Sequence, residues 1–148
     1  MDAAPRLWFT PIARERLRAR LAGGDATLRA ILDLARRDCA EAAESIRKPD
    51  LDKNGQRQTT VDAKRYVIGG AVACLLGGDR DAAERACDQW LWQAEGDTPS
   101  DLGRATRAVE GAIVHECCAE TVDPSRRTAL RAADRKSTRL NSSHSSIS

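Results

Sequence analysis

The chain has 148 residues with a formal net charge of +2, 41% hydrophobic residues and only 3% aromatic ones. That length bounds it to about one ordinary domain, and abundant alanine and leucine with few β-branched residues argue for packed helices over a sheet. Residues 134–148 hold three basic residues and one acidic one, so residues 1–133 are neutral overall and give no global signal for nucleic acid or an anionic membrane.

The elements follow in order. Leu7-Trp8-Phe9 is an apolar lead into Thr10-Pro11, an N-cap followed by proline at the first helical position. The first helix runs to about Ala22, carries arginines at 14, 16, 18 and 20, and stops at Gly23-Gly24. Asp25 caps a second helix, where Leu28, Ile31, Leu32, Ala35, Cys39, Ala42 and Ile46 keep a 3–4 spacing and form one apolar face. Pro49 to Thr60 reads as a polar loop. A third helix begins near Asp62 and has no charge from Tyr66 through Leu76, so it is expected to be buried nearly all round. Gly77-Gly78-Asp79 repeats the break and cap. In the fourth helix Ala82, Ala83, Ala86, Cys87, Trp90, Leu91 and Ala94 make an apolar stripe.

The fifth helix opens at Asp101. Leu102, Ala105, Val109, Ala112 and Ile113 share one side, which is the expected core face. Glu116 and Glu120 fall on that side too, where a carboxylate is costly unless paired. The helix stops at Thr121-Val122, and Asp123-Pro124 starts a sixth. The whole is all-α: antiparallel helical hairpins joined by Gly-Gly-Asp turns.

Few residues carry a chemical signal. Asp50-Leu51-Asp52-Lys53-Asn54-Gly55 matches the first half of a calcium-binding EF-hand loop, but Arg57 and Val61 break the second half. A solvated Asx-type turn is the expected reading. His115-Glu116 begins like a zinc-binding HExxH, but Ala119 stands in place of the second histidine, so no metal or other cofactor is implied. Cys39, Cys74, Cys87, Cys117 and Cys118 are odd in number and show no CxxC spacing; they read as small buried groups in a reduced protein. Glu116 is a candidate structural buried carboxylate, with Arg65, Arg126 and Arg127 as candidate partners. Trp92 lies off the Trp90 stripe and is the candidate for stacking on a sugar ring. No catalytic set can be assembled. Met1-Asp2-Ala3-Ala4 offers no signal-peptide character, and no uncharged run is long enough to span a bilayer, so a soluble chain is expected and its compartment stays open.

Several segments together resemble one family. Pro5-Arg6-Leu7-Trp8-Phe9-Thr10, then Leu17-Arg18-Ala19-Arg20-Leu21, resembles the opening of heparinase II/III-like polysaccharide lyases. Leu75-Leu76-Gly77-Gly78-Asp79 with Ala83-Glu84-Arg85-Ala86 is similar to their next helix pair. Asp101-Leu102-Gly103-Arg104-Ala105 and Asp123-Pro124-Ser125-Arg126-Arg127 resemble the helix and turn that follow. His115-Glu116-Cys117-Cys118 departs from the family, which tends to Tyr-Asp-Trp-Leu; Glu116 keeps the acid and the aromatics are lost. The resemblance covers residues 5–133 and implies the start of an incomplete (α/α) toroid. It further implies β-elimination on an acidic, uronic-acid-containing polysaccharide, performed by residues that this chain does not match. On that reading the chain is inactive alone, its partner is the missing C-terminal remainder of its own protein, and the third helix lacks its next neighbour. The alternative is a self-contained α-hairpin protein-interaction module of tetratricopeptide-like type. Asp134 to His144 resembles a translated sequencing adapter, so residues 134–148 are expected to be a non-native or disordered polar tail, separate from the helical part at 1–133.

Overall fold

The computed structural model describes residues 9–46, 61–95 and 101–145. Six helices account for it: α1 (Pro11–Ala22), α2 (Ala26–Ile46), α3 (Val61–Gly77), α4 (Arg80–Glu95), α5 (Asp101–Cys118) and α6 (Pro124–Ser145). There is no strand among the described residues, and the fold is all-α.

The helix ends lie where the local chemistry places them. Thr10 is extended and its side chain accepts from the Ala13 N–H at 3.1 Å, with Pro11 opening α1. Asp25 Oδ1 accepts from Leu28 N at 3.0 Å and Asp123 Oδ1 from Arg126 N at 2.8 Å, each starting the next helix. Gly24 and Gly78 take positive φ values of 91° and 67°, which lets the chain reverse within two or three residues. The backbone of α6 continues as helix through residues 134–145.

Helices α2, α3 and α4 form antiparallel neighbours. Asp38 meets Arg65, Ala35 meets Gly69, and Leu32 meets Gly77, a sequence running down one helix and up the other. Gly69 and Gly70 let the backbones close in: a Cβ at either would sit 2.8 Å from the Ala35 or Ala82 carbonyl oxygen. Helix α3 then contacts α1, α2, α4 and α5, while α5 and α4 both contact α6. This is a two-layer stack in which alternate helices, α3 with α5 and α4 with α6, also touch.

Two apolar clusters fill the interior. One gathers Val67, Ala71, Cys74, Cys87, Trp90, Val114, Cys118 and Leu130 from α3 to α6; the other joins Leu21, Leu28, Leu32, Ala73 and Leu76 from α1 to α3. The near-continuous apolar run of α3 is buried as its composition requires. The expectation that α3 lacks its next neighbour is overturned, because α5 packs against it. In α2 the stripe is buried at Leu28, Leu32, Ala35 and Ala42, whereas Ile31 stays 43% exposed at its edge.

The core face of α5 also differs from the expectation. Leu102 and Val109 are 79% and 55% exposed and Ile113 is partly buried against the core, while Arg107, Glu110, Gly111, Val114, Glu116, Cys117 and Cys118 are buried. The reason is steric. Only the Gly111 side of the helix admits the indole of Trp90, which is 1% exposed and fills the space a Cβ would need. Close packing of that ring outweighs the greater apolarity of the opposite face.

Candidate functional site

Four places among the described residues gather the groups that chemistry could use. The first is the junction of the α1 start with the α5 end. Glu116 is 7% exposed, and its Oε1 accepts from the Phe9 backbone N–H at 2.9 Å. Arg14, buried within α1, donates to the Glu116 carbonyl and, through Nε at 3.4 Å, to the Phe9 carbonyl. Its guanidinium also lies 3.7 Å from Glu120. Glu116 therefore anchors a backbone amide. The arginines suggested by sequence are engaged elsewhere: Arg65 with Asp38 and Glu41, Arg126 with Asp88 and Asp123, and Arg127 with the Ala119 carbonyl. Arg14 was not legible as a partner, because its registry opposite Glu116 arises only when α1 docks across the bundle.

The second place lies where the second half of α4 meets the middle of α5. Trp90 Nε1 donates to the Arg107 carbonyl at 3.0 Å. Gln93 is fully enclosed, and neither atom of its amide has a hydrogen-bond partner among the described residues. Glu110 is 4% exposed; burial pushes its carboxyl above the ordinary value, with Lys64 and Arg107 pulling the other way. These buried polar groups escaped the sequence reading. The one available signal was Gly111, a helix-interior glycine beside an acid, marking a side approached closely by a bulky group.

The third is a cleft of about 580 Å³ between α2, the end of α3 and the start of α4, lined by Arg36, Cys39, Asp79, Arg80 and Arg85 among others. Its charges are largely satisfied within the protein. Arg36 holds Asp79 by two bonds of 2.8 and 3.0 Å, and this keeps the Asp79 carboxyl below its ordinary range. Arg80 bonds Glu84 at 3.0 Å.

The fourth is a set of thiols, Cys74, Cys87, Cys117 and Cys118, buried where α3, α4 and α5 meet; Cys39 is half-buried outside it. All five are free thiols. Among the described residues no group of three or more His, Cys, Asp or Glu side chains is placed to hold a metal ion. His115 is half-buried on α5, and Trp92 is half-buried on α4, away from the indole of Trp90 that enters the core. The Asp50-Asp52-Asn54 loop lies outside the described residues. Among those residues no helix is long and apolar enough to cross a membrane.

This arrangement orients backbone and closes a core; its carboxylates and guanidiniums are mostly spent on each other. No family model, curated protein or solved structure matches the chain.

Proposed function

We propose that this chain is part of the helical toroid of a heparinase II/III-like polysaccharide lyase, which supplies wall and substrate contacts and is inactive by itself. The observation that carries this reading is the outward face of α5. Leu102 and Val109 are large apolar side chains left exposed on α5, and a toroid would set its next inner helix against such a face. The stacking of α3 on α5 and α4 on α6 is the two-layer pattern such a ring repeats. In the whole enzyme the reaction is β-elimination at a uronic acid, with a base removing the C5 proton and cationic or neutral donors stabilising the carboxylate as charge builds. Those groups belong to the remainder of the protein. Trp92 is the residue of this chain assigned to stack on a sugar ring.

The test uses the uninterrupted reading frame from the source DNA, expressed and mixed with uronic-acid polysaccharides. Formation of an unsaturated uronate, read by ultraviolet absorbance, is expected, and Trp92→Ala should raise KM more than it lowers kcat. A frame that ends near Ala133, or a long product without eliminase activity on any such polymer, overturns the reading.

One observation favours the second reading, a self-contained α-hairpin interaction module. Helix α3 is already covered by α1, α2, α4 and α5, so the described helices make a core of their own. On that reading the isolated chain is a monodisperse monomer, and Leu102→Glu with Val109→Glu leaves its solubility unchanged. On the toroid reading the same pair of substitutions raises it.

A further inference from the structure

The cleft between α2 and α4 plays no part in either reading of function. Both helices pack on α3, and the small residues Ala40, Ala73, Gly78 and Ala82 line the opening of about 580 Å³ between them. Proteins take small molecules in openings of roughly 300–1,000 Å³. Most charges on its walls are already matched. Arg36 reaches from α2 past Gly77 to Asp79, with bonds of 2.8 and 3.0 Å. A Cβ at Gly77 would meet that guanidinium at 2.8 Å, so the glycine makes room for the pair. Arg80 is held by Glu84 at 3.0 Å.

Two charges remain. Asp81 and Arg85 both line the cleft on α4, and among the described residues neither is in an ion pair. Arg85 lies by the Tyr66 hydroxyl, a neutral group that leaves the guanidinium charge unmatched. An acid four residues before a base is the helical spacing at which two side chains ordinarily hold each other, with Cβ atoms about 5–6 Å apart. Here they do not, so a carboxylate and a guanidinium flank one part of the cleft separately.

We propose that this cleft is a binding site for a free α-amino acid, whose carboxylate is taken by Arg85 and whose ammonium is taken by Asp81.

The chemistry of the walls selects that class. A guanidinium offers a planar fork that matches a carboxylate by two parallel hydrogen bonds. A carboxylate only accepts, and an ammonium only donates. A ligand with both groups on one carbon satisfies both residues and brings no net charge into the cleft. A simple anion would instead lie beside the unmatched Asp81 carboxylate, and a simple amine beside the unmatched Arg85. The alanines of the lining give a small aliphatic side chain its apolar contact.

Cys39 supplies an independent readout. It lines the same cleft and is half-buried, with Sγ 3.7 Å from the Tyr66 carbonyl oxygen, whereas the other four thiols are buried. A ligand seated in the cleft therefore slows alkylation of Cys39.

The whole chain, kept reduced, is titrated calorimetrically with each of the common α-amino acids, and with acetate, methylamine and glucuronate for comparison. Alkylation of Cys39 by iodoacetamide is followed in parallel by mass spectrometry of its peptide. At least one amino acid should give saturable heat and slow the alkylation, and should bind more tightly than the three comparison compounds. Arg85→Ala and Asp81→Asn should each weaken that binding by about tenfold or more. Arg37→Ala, whose contact is Glu41 and which does not line the cleft, should leave it unchanged. Asp81 and Arg85 are exposed, so thermal melts of both variants should match the parent; where one does not, Cys39 protection in the parent decides. No binding of any amino acid, acetate or glucuronate bound as tightly as the amino acids, or binding that persists in either variant would each overturn the assignment.

Discussion

Gly111→Ala puts two opposing magnitudes in competition. In a helix interior, glycine to alanine stabilises by about 1 kcal/mol, because the unfolded chain loses less freedom on folding. Here the added Cβ would fall 2.7 and 2.9 Å from Cε2 and Cη2 of Trp90 and closer still to Cζ2. The indole is 1% exposed and its Nε1 donates to the Arg107 carbonyl at 3.0 Å, so it has no space to retreat into without breaking that bond. Overpacking a core of this kind costs about 1–3 kcal/mol. Leaving the indole N–H and the carbonyl unpaired costs about 1–3 kcal/mol more. The clash therefore wins, with a net loss of about 3 kcal/mol and a thermal midpoint roughly 10 °C lower. Urea titration followed by tryptophan fluorescence and far-ultraviolet circular dichroism measures it. Repeating Gly111→Ala in a Trp90→Leu background should reverse its sign, giving a coupling of at least about 2 kcal/mol. The reasoning fails if Gly111→Ala stabilises the parent chain, or if it costs the same in both backgrounds.

Three further outcomes follow from the same structure. Glu110 has its folded pKa raised by burial, so its contribution to stability is complete below the unfolded value of about 4.3 and is lost as pH rises through the folded value. Glu110→Gln should remove that part of the decline, making the variant more stable than the parent at pH 8 in pH-resolved thermal melts. Asp79 titrates in the opposite sense: Arg36 lowers its pKa, so its stabilisation is present above the unfolded value of about 3.9 and fades as pH falls through the folded one. Asp79→Asn should cost about 1 kcal/mol or less at pH 7 and progressively less as the pH falls, since both partners are substantially exposed. Arg14→Met should cost about 2–3 kcal/mol by stranding the Phe9 and Glu116 carbonyls. It should also speed amide exchange at Phe9, and Arg14→Lys should not restore it, because an ammonium lacks the guanidinium fork that spans two carbonyls.

Local signals carried the helices themselves. Thr10-Pro11, Asp25 and Asp123-Pro124 mark helix starts through short-range hydrogen bonds, and Gly24 and Gly78 mark reversals through backbone freedom, all decided within four residues. The charge-free run of α3 demanded burial, and the alanine, cysteine and Trp90 stripe of α4 faces the core it was expected to face. The helical backbone begun at Pro124 runs on through residues 134–145.

The candidate sites were only partly legible. Glu116 stood out as an acid in an apolar setting, but its contact with Phe9 spans 107 residues and cannot be read from spacing along one helix. Gln93 and Glu110 look like ordinary surface residues in sequence; they are buried because Trp90 draws α5 toward α4 on the Gly111 side. Composition and periodicity thus determined an all-α chain, its helix limits and the burial of α3, since each depends on neighbours within a turn or two. Tertiary packing alone decided which face of α5 turns inward, which amide Glu116 holds, and which sulfurs sit side by side. The first depends on the shape of one buried indole and the space beside a glycine, and the others on how α1, α3, α4 and α5 dock, quantities that exist only once the helices have met.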